Sequence, residues 1–250
     1  MSKYKIGVQL IVWGRGVNQN LPQVLDEVSS IGYAGIETGL SPFERFPNAG
    51  DLLKNRNLSL AGIHMGVGSM DHVDKALKIL HNFGGGYLIF SGAGGRENSP
   101  ENYRRNSKFL EEVGRKASNL GIRVCYHNHW QEIINDAMGI RIICEETNPD
   151  LVSLCVDTYW VKCGGLSPVE FIERFRDRVV YLHLKDGTEE GIKRHEFTEL
   201  GRGIIDFPAI MRAIEPLDVE WLVVEQDRTD KTPMESMEIS MKYIKEVLKI

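Results

Sequence analysis

The chain has 250 residues, 42% of them hydrophobic and 26% charged, with a formal net charge of −5. That length suits one barrel-sized domain of about 250 residues with a sizeable core, so residues 1–250 are read as a single domain. An acidic balance without a basic run excludes the electrostatic footprint of a nucleic-acid binder, and no apolar run nears the roughly 18 residues that span a bilayer.

Short apolar runs alternate with longer segments of helical period. Residues 6–10 form the first strand-like run, after an opening Met1-Ser2-Lys3-Tyr4-Lys5 that does not read as a signal peptide. Asn20 caps a helix whose face is Leu21, Val24, Leu25 and Val28, and Gly32 ends it. Residues 34–37 are a short strand, a weakly marked helix follows near 51–57, and residues 58–64 are a third strand. Asp71 opens a helix carrying Val73, Ala76, Leu77, Leu80 and Phe83, closed by glycines 84–86. Strand 87–90 precedes a long helix over 100–120, ended by Gly121. Strand 122–127, a helix over 140–146 and strand 151–156 come next. Ser167-Pro168 is a cap followed by a first-turn proline, starting a helix with Phe171, Ile172 and Phe175. Strand 179–182, a helix from Asp206-Phe207-Pro208, strand 221–224 and a helix over 234–248 complete the chain.

Eight strand–helix units in strict alternation predict an α/β fold with a closed parallel sheet, the (β/α)8 TIM barrel. An open doubly wound sheet would carry a glycine-rich dinucleotide turn after its first strand. Ile11-Val12-Trp13-Gly14-Arg15-Gly16 lacks the G-x-G-x-x-G spacing. The four cysteines, Cys125, Cys144, Cys155 and Cys163, form no C-x-x-C pair and read as reduced thiols, which points to the cytoplasm.

In a parallel barrel, function collects at the carboxyl ends of the strands. The polar residues that follow the apolar runs are Glu37, His64, Ser91, the His127-Asn128-His129 run with Glu132, Asp157, His183, Lys185, Asp186, Glu225 and Asp227. Among them Glu132, Asp157, His183 and Glu225 supply three carboxylates and an imidazole from consecutive strand ends. Each alone reads as a cap or a hydrogen-bonded loop residue. Together they predict one divalent metal ion, Mn²⁺ first, with Mg²⁺, Co²⁺, Fe²⁺ or Zn²⁺ also suited.

At least one of His127 and His129 is expected to contact substrate; the alternative is a structural pair under a loop. His64 and Glu37 are grouped with the substrate-facing side chains, with a structural role for His64 equally open. Lys185 suits an oxyanion or a polarised carbonyl, or a salt bridge to a neighbouring carboxylate. Trp13 and Trp160 could wall a sugar face, although loop packing is the commoner use. Arg202, in Gly201-Arg202-Gly203, suits an anionic substrate or plain solvation. No G-x-S-x-G elbow, P-loop or H-E-x-x-H occurs, and mid-strand Cys125 is a poor nucleophile.

The chain resembles the xylose isomerase-like barrel superfamily, in its sugar phosphate isomerase/epimerase branch. The resemblance rests on Tyr126-His127-Asn128-His129 with Glu132, and on Asp157-Thr158-Tyr159-Trp160-Val161. It continues through Arg178, Tyr181-Leu182-His183-Leu184-Lys185-Asp186, Leu200-Gly201-Arg202-Gly203 with Ile205-Asp206-Phe207, and Val224-Glu225-Gln226-Asp227. It implies a divalent ion held by a Glu, Asp, His, Glu set, carried here by Asp157, His183 and Glu225, with Glu132 as the fifth-strand carboxylate. Many isomerases and epimerases place a glutamate within that strand, where this chain has Tyr126. The His-x-His-x-x-Glu form is more similar to relatives of inosose dehydratase and of enzymes acting on 3-keto-glycosides, and suggests His127 or His129 as the acid/base.

The expected chemistry is proton abstraction next to a carbonyl of a keto-sugar or polyol, assisted by the metal. Glu132 and Glu225 would combine ligation with proton transfer. Isomerisation or epimerisation is the first expectation, with a dehydratase, lyase or hydrolase on an inosose or 3-keto-glycoside as the alternative. A phosphodiesterase of the AP-endonuclease type would need a basic groove, and a catalytically inactive sugar-binding barrel is the rival from another class. The expected partner is a small sugar or polyol, with neither nucleic acid nor membrane, and with a homo-oligomer left open.

Overall fold

The computed structural model describes residues 3–250; Met1 and Ser2, part of the opening segment read above, lie outside them. Eight parallel strands close on themselves in chain order: β1 Lys5–Gln9, β2 Gly35–Thr38, β3 Ser59–Gly66, β4 Tyr87–Ser91, β5 Arg123–His127, β6 Val152–Asp157, β7 Val179–Leu184 and β8 Trp221–Val224. The helices that return the chain are α1 Leu21–Ile31, α2 Ala49–Lys54, α3 Met70–Phe83, α4 Pro100–Ser118, α5 Trp130–Glu146, α6 Pro168–Arg174, α7 Phe207–Ile214 and α8 Pro233–Tyr243. The (β/α)8 barrel read from the alternation is the fold. Among the described residues, no helix is long and apolar enough to cross a membrane.

Local chemistry sets the boundaries. Asn20 accepts from the Gln23 amide to open α1, and Gly32, at φ 97°, closes it in the left-handed conformation that glycine tolerates. Ser99, Ser167, Asp206 and Thr232 cap α4, α6, α7 and α8 in the same way. The helix expected over 140–146 extends back to Trp130, but Ile134 to Ala137 leave helical geometry and break it in two. His183 and Leu184, read as following the seventh strand, belong to it. Short helices at Ser41–Arg45, Thr158–Cys163 and Glu189–Arg194 occupy the loops at the carboxyl rim. They are too short to show a period in sequence.

Two cores result. The larger lies between the helices and the outer face of the sheet. The smaller fills the barrel with Ala61, Tyr87, Ile89, Cys125, Cys155, Tyr181, Trp221 and Val223. Because a strand repeats every two residues, the next inward position on four of these strands is a polar one: His127 above Cys125, Asp157 above Cys155, His183 above Tyr181 and Glu225 above Val223. The apolar plug thus becomes the floor of a polar layer at the carboxyl mouth.

The Leu200-Gly201-Arg202-Gly203 turn packs against the end of β7. The carboxylate of Asp186, 0% exposed, accepts from the backbone amides of Gly187, Gly201, Gly203 and Ile205 at 2.9–3.2 Å. A Cβ on Gly203 would stand 2.1 Å from Asp186 Oδ1, so only glycine lets the turn close on it. Asp186→Ala leaves those amides without an acceptor and is expected to cost on the order of 3 kcal/mol in urea unfolding. Wild-type stability in that variant would show that the turn is held by other contacts.

Candidate active site

Asp157 ends β6, and its backbone is held by a reciprocal amide pair. Asn128 Oδ1 accepts from the Asp157 amide at 3.0 Å, and Asn128 Nδ2 donates to the Asp157 carbonyl at 3.2 Å. Asp157 Oδ1 caps the Thr158–Cys163 helix by accepting from the Trp160 amide at 2.8 Å. Its other oxygen, Oδ2, has no hydrogen-bond partner. It lies 3.5 Å from His127 Nε2 and 3.9 Å from Lys185 Nζ.

Neither ring nitrogen of His127 has a partner, although the residue is 0% exposed. His183 Nδ1 and Glu225 Oε2 approach to 2.5 Å, yet neither makes a hydrogen bond. Buried polar atoms are almost always paired. Here the unpaired ones converge: one ligand atom each from His127, Asp157, His183 and Glu225 lies within 4.8 Å of the others. Buried polar atoms brought together in this way suit a cation between them. Two carboxylates and an imidazole, with the second imidazole of His127 beside them, fit a divalent transition ion, and Mn²⁺, Fe²⁺, Co²⁺ and Zn²⁺ all accept such a set.

The charges around these atoms are arranged to stay. Burial pushes the Glu225 carboxyl up, but Lys185 and His183 outweigh it and hold it well below the usual range. Lys185, also buried, places Nζ 2.9 Å from Glu225 Oε1 and 2.6 Å from Asp227 Oδ1. Burial disfavours its charge, but Glu225, Asp157 and Asp227 raise it above an ordinary lysine. Its ammonium also lies 5.0 Å from the ring centre of Trp160 and 4.6 Å from that of Phe197, so two aromatic faces roof it. Burial raises Asp157 to about 6 despite Lys185.

The imidazoles differ from one another. Burial, reinforced by His183 and His64, lowers His127 well below an ordinary histidine, so it is neutral. Burial, with His127 beside it, lowers His129 to about 3. Burial also disfavours charge on His183, but Cys155, Glu37 and Glu225 reverse this and hold it well above the usual value. Cys155 is itself pushed up to about 12 by burial, so the negative charge at neutral pH comes from the two carboxylates.

The sequence-derived candidates divide. The structure brings Asp157, His183, Glu225, His127 and Lys185 together. Glu132 stays outside the convergent atoms: its Oε1 accepts from the Tyr126 hydroxyl at 2.8 Å and its Oε2 from the His129 amide at 2.9 Å, a capping arrangement at the start of α5. His129 packs between His127 and Trp160, with ring centres 4.9 and 5.7 Å away. His64 sits beside His127, ring centres 4.9 Å apart, with Nε2 at 3.1 Å from Ser91 Oγ. Glu37 is fully buried under His183. Trp13 donates its indole N–H to Glu27 on α1 at 2.7 Å, a packing contact. Arg202 is half exposed and its guanidinium lies 3.5 Å from Glu199. Asn128, Tyr181 and Phe197 carry no role of their own in the sequence reading. The inward alternation Tyr181–His183 was the available signal for one, and the His-Asn-His run for another.

A family model described as the xylose isomerase-like TIM barrel matches residues 25–247. Inosose dehydratase of Geobacillus kaustophilus is 28% identical over 98% of this chain and 94% of its own length. A sugar phosphate isomerase/epimerase from Parabacteroides distasonis superposes with a TM-score of 0.82 at 20% identity, covering 99% of this chain and 95% of that one. The 3-keto-D-glucoside 4-epimerase of E. coli superposes with a TM-score of 0.75 at 18% identity, covering 97% and 99%. The two superpositions speak for the shared barrel.

If the convergent atoms take an ion, the ion must displace a proton from His183, so affinity should rise with pH through the titration of that imidazole. Metal-free protein should also gain thermal stability when Mn²⁺ is added, equivalent to about 2.7 kcal/mol at 100 times Kd. Asp157→Ala should abolish that gain. An unchanged melting temperature in wild type at millimolar Mn²⁺ would contradict the site.

Proposed function

The chain belongs to the xylose isomerase-like TIM barrel family, and from that membership and the site geometry we propose a divalent-metal-dependent enzyme that removes a proton beside a carbonyl of a keto-polyol or keto-sugar. The observation that carries this reading is the set of unpartnered buried atoms on His127, Asp157, His183 and Glu225. Asp157, His183 and Glu225 would hold the ion. When bound, it would supply Lewis acidity to the substrate carbonyl and acidify the adjacent C–H.

The remaining steps fall to the chain. Both ring nitrogens of His127 are free of hydrogen bonds, so a lone pair is available to accept the proton from carbon. Lys185, held charged between Glu225 and Asp227, donates a hydrogen bond to the oxygen that gains charge or departs. The Trp160 and Phe197 roof keeps water from that ammonium.

The product follows from how many groups handle the proton. One imidazole can take it from carbon and pass it to a departing β-hydroxyl: the C–H and C–O bonds break, a C=C bond forms and water leaves. Moving a proton from one face of a carbon to the other needs two such groups. His64 is hydrogen-bonded to Ser91 Oγ at 3.1 Å, with Nδ1 3.3 Å from Glu37 Oε1, and Glu132 is spent on Tyr126 and His129. His129, 4.9 Å from His127 between ring centres, is the second group that epimerisation would use; dehydration is the favoured outcome, in keeping with the inosose dehydratase relative, and epimerisation the second. The four free thiols suit a reducing, cytoplasmic setting.

Inososes, 3-keto-glycosides and simple keto-sugars incubated in deuterated water with Mn²⁺ test the reading by NMR. Loss of the proton beside the carbonyl, with elimination of water, is expected only when the metal is present; absence of exchange on every substrate would reject it. His127→Ala should lower turnover by about 10² to 10⁴ with metal affinity within about threefold of wild type. Loss of metal binding in that variant would make His127 a ligand instead of the base.

A further inference from the structure

The proposed metal site does not use the buried carboxylate of Glu37. Glu37, on the inward face of β2, is 0% exposed. Its Oε2 accepts from the Tyr181 hydroxyl at 2.9 Å and meets His183 Nε2 at 2.8 Å. Its Oε1 faces His64 Nδ1 at 3.3 Å. A charge fully enclosed in a barrel is costly unless its partners require it.

We propose that Glu37 is a positioning residue that fixes the tautomer and orientation of His183, so that Nδ1 is the atom presented to the ion. An ionised carboxylate only accepts hydrogen bonds, so the Nε2 that faces it must carry a proton. Neutral imidazole has a single N–H, and the lone pair is then left on Nδ1. That atom is the one placed 2.5 Å from Glu225 Oε2. A carboxylate behind a ligating imidazole also raises the basicity of the ligating nitrogen. Tyr181 completes the device. It stands two residues before His183 on the same inward face, so its hydroxyl anchors Glu37 from the apolar floor while His183 receives it from above.

A competing use exists for the same atoms. Glu37, His64 and Glu225 also offer ligand atoms within 4.8 Å of one another, which would suit a second ion. Glu37 Oε2 already faces the hydroxyl proton of Tyr181 and the N–H of His183, and a cation there would oppose both; Oε1 makes no hydrogen bond and is the atom a second ion would use, so the number of ions bound separates the two roles.

The inference rests on the metal reading above, and the experiment separates the two. Diamagnetic Zn²⁺ is added to metal-free protein labelled with ¹⁵N-histidine. Two-bond ¹H–¹⁵N correlations should show His183 protonated at Nε2 and ligating through Nδ1; protonation at Nδ1 would overturn the proposal without recourse to any variant. Glu37→Gln should weaken Zn²⁺ binding 10- to 100-fold in a chelator competition and move the Nε2 proton upfield. Tyr181→Phe should keep the tautomer and lose less than tenfold. If wild type takes up no Zn²⁺, the metal reading falls and this inference with it. If wild type binds and Glu37→Gln binds equally well with the same resonance, only this inference falls. Two ions per chain in wild type and one in Glu37→Gln would also overturn it, by making Glu37 a ligand.

Discussion

The molecule is organised around the cost of holding charge without water. Asp157, His183, Lys185 and Glu225 are buried at the mouth of a closed sheet, above a floor of tyrosine, tryptophan and aliphatic side chains. In such a place each charge must be answered by another. Lys185 answers Glu225 and Asp227, and Glu37 answers His183. Unpartnered atoms of His127, Asp157, His183 and Glu225 face a common point. A cation at that point would complete the balance of charge.

The barrel supplies the precision. Alternation along a strand lifts each polar residue two positions above an apolar one, so packing in the floor fixes where the polar group begins. The surrounding devices then fix where it ends: the Asn128 amide pair on Asp157, Glu37 behind His183, and Asp186 gathering the turn at Gly201 and Gly203. None of these needs to touch a substrate. Each narrows the positions open to a group that would.

Much of this was legible in the sequence. The strands end where apolar runs meet a polar residue, and caps such as Asn20, Ser167 and Asp206 mark the helix starts. Asp157, His183 and Glu225 stood out for the same reason. Glu132 shared the pattern, but the chain turns into α5 at His129, and a carboxylate three residues into a helix reaches back to the cap amide. Glu37 and Trp13 show the opposite limit. The contacts that decide their roles are the direction of a side chain and, for Glu37, partners more than a hundred residues away. Periodicity carries neither. The break at Ile134 to Ala137 is likewise a matter of backbone geometry that no glycine or proline announces.

The most direct measurement is anomalous diffraction from crystals grown with Mn²⁺, collected at the manganese edge. The expected result is one anomalous peak within about 2.0–2.3 Å of Asp157 Oδ2, His183 Nδ1 and a Glu225 oxygen. A map with no peak among those three atoms, or with its peak on the Glu132 carboxylate, would contradict the account.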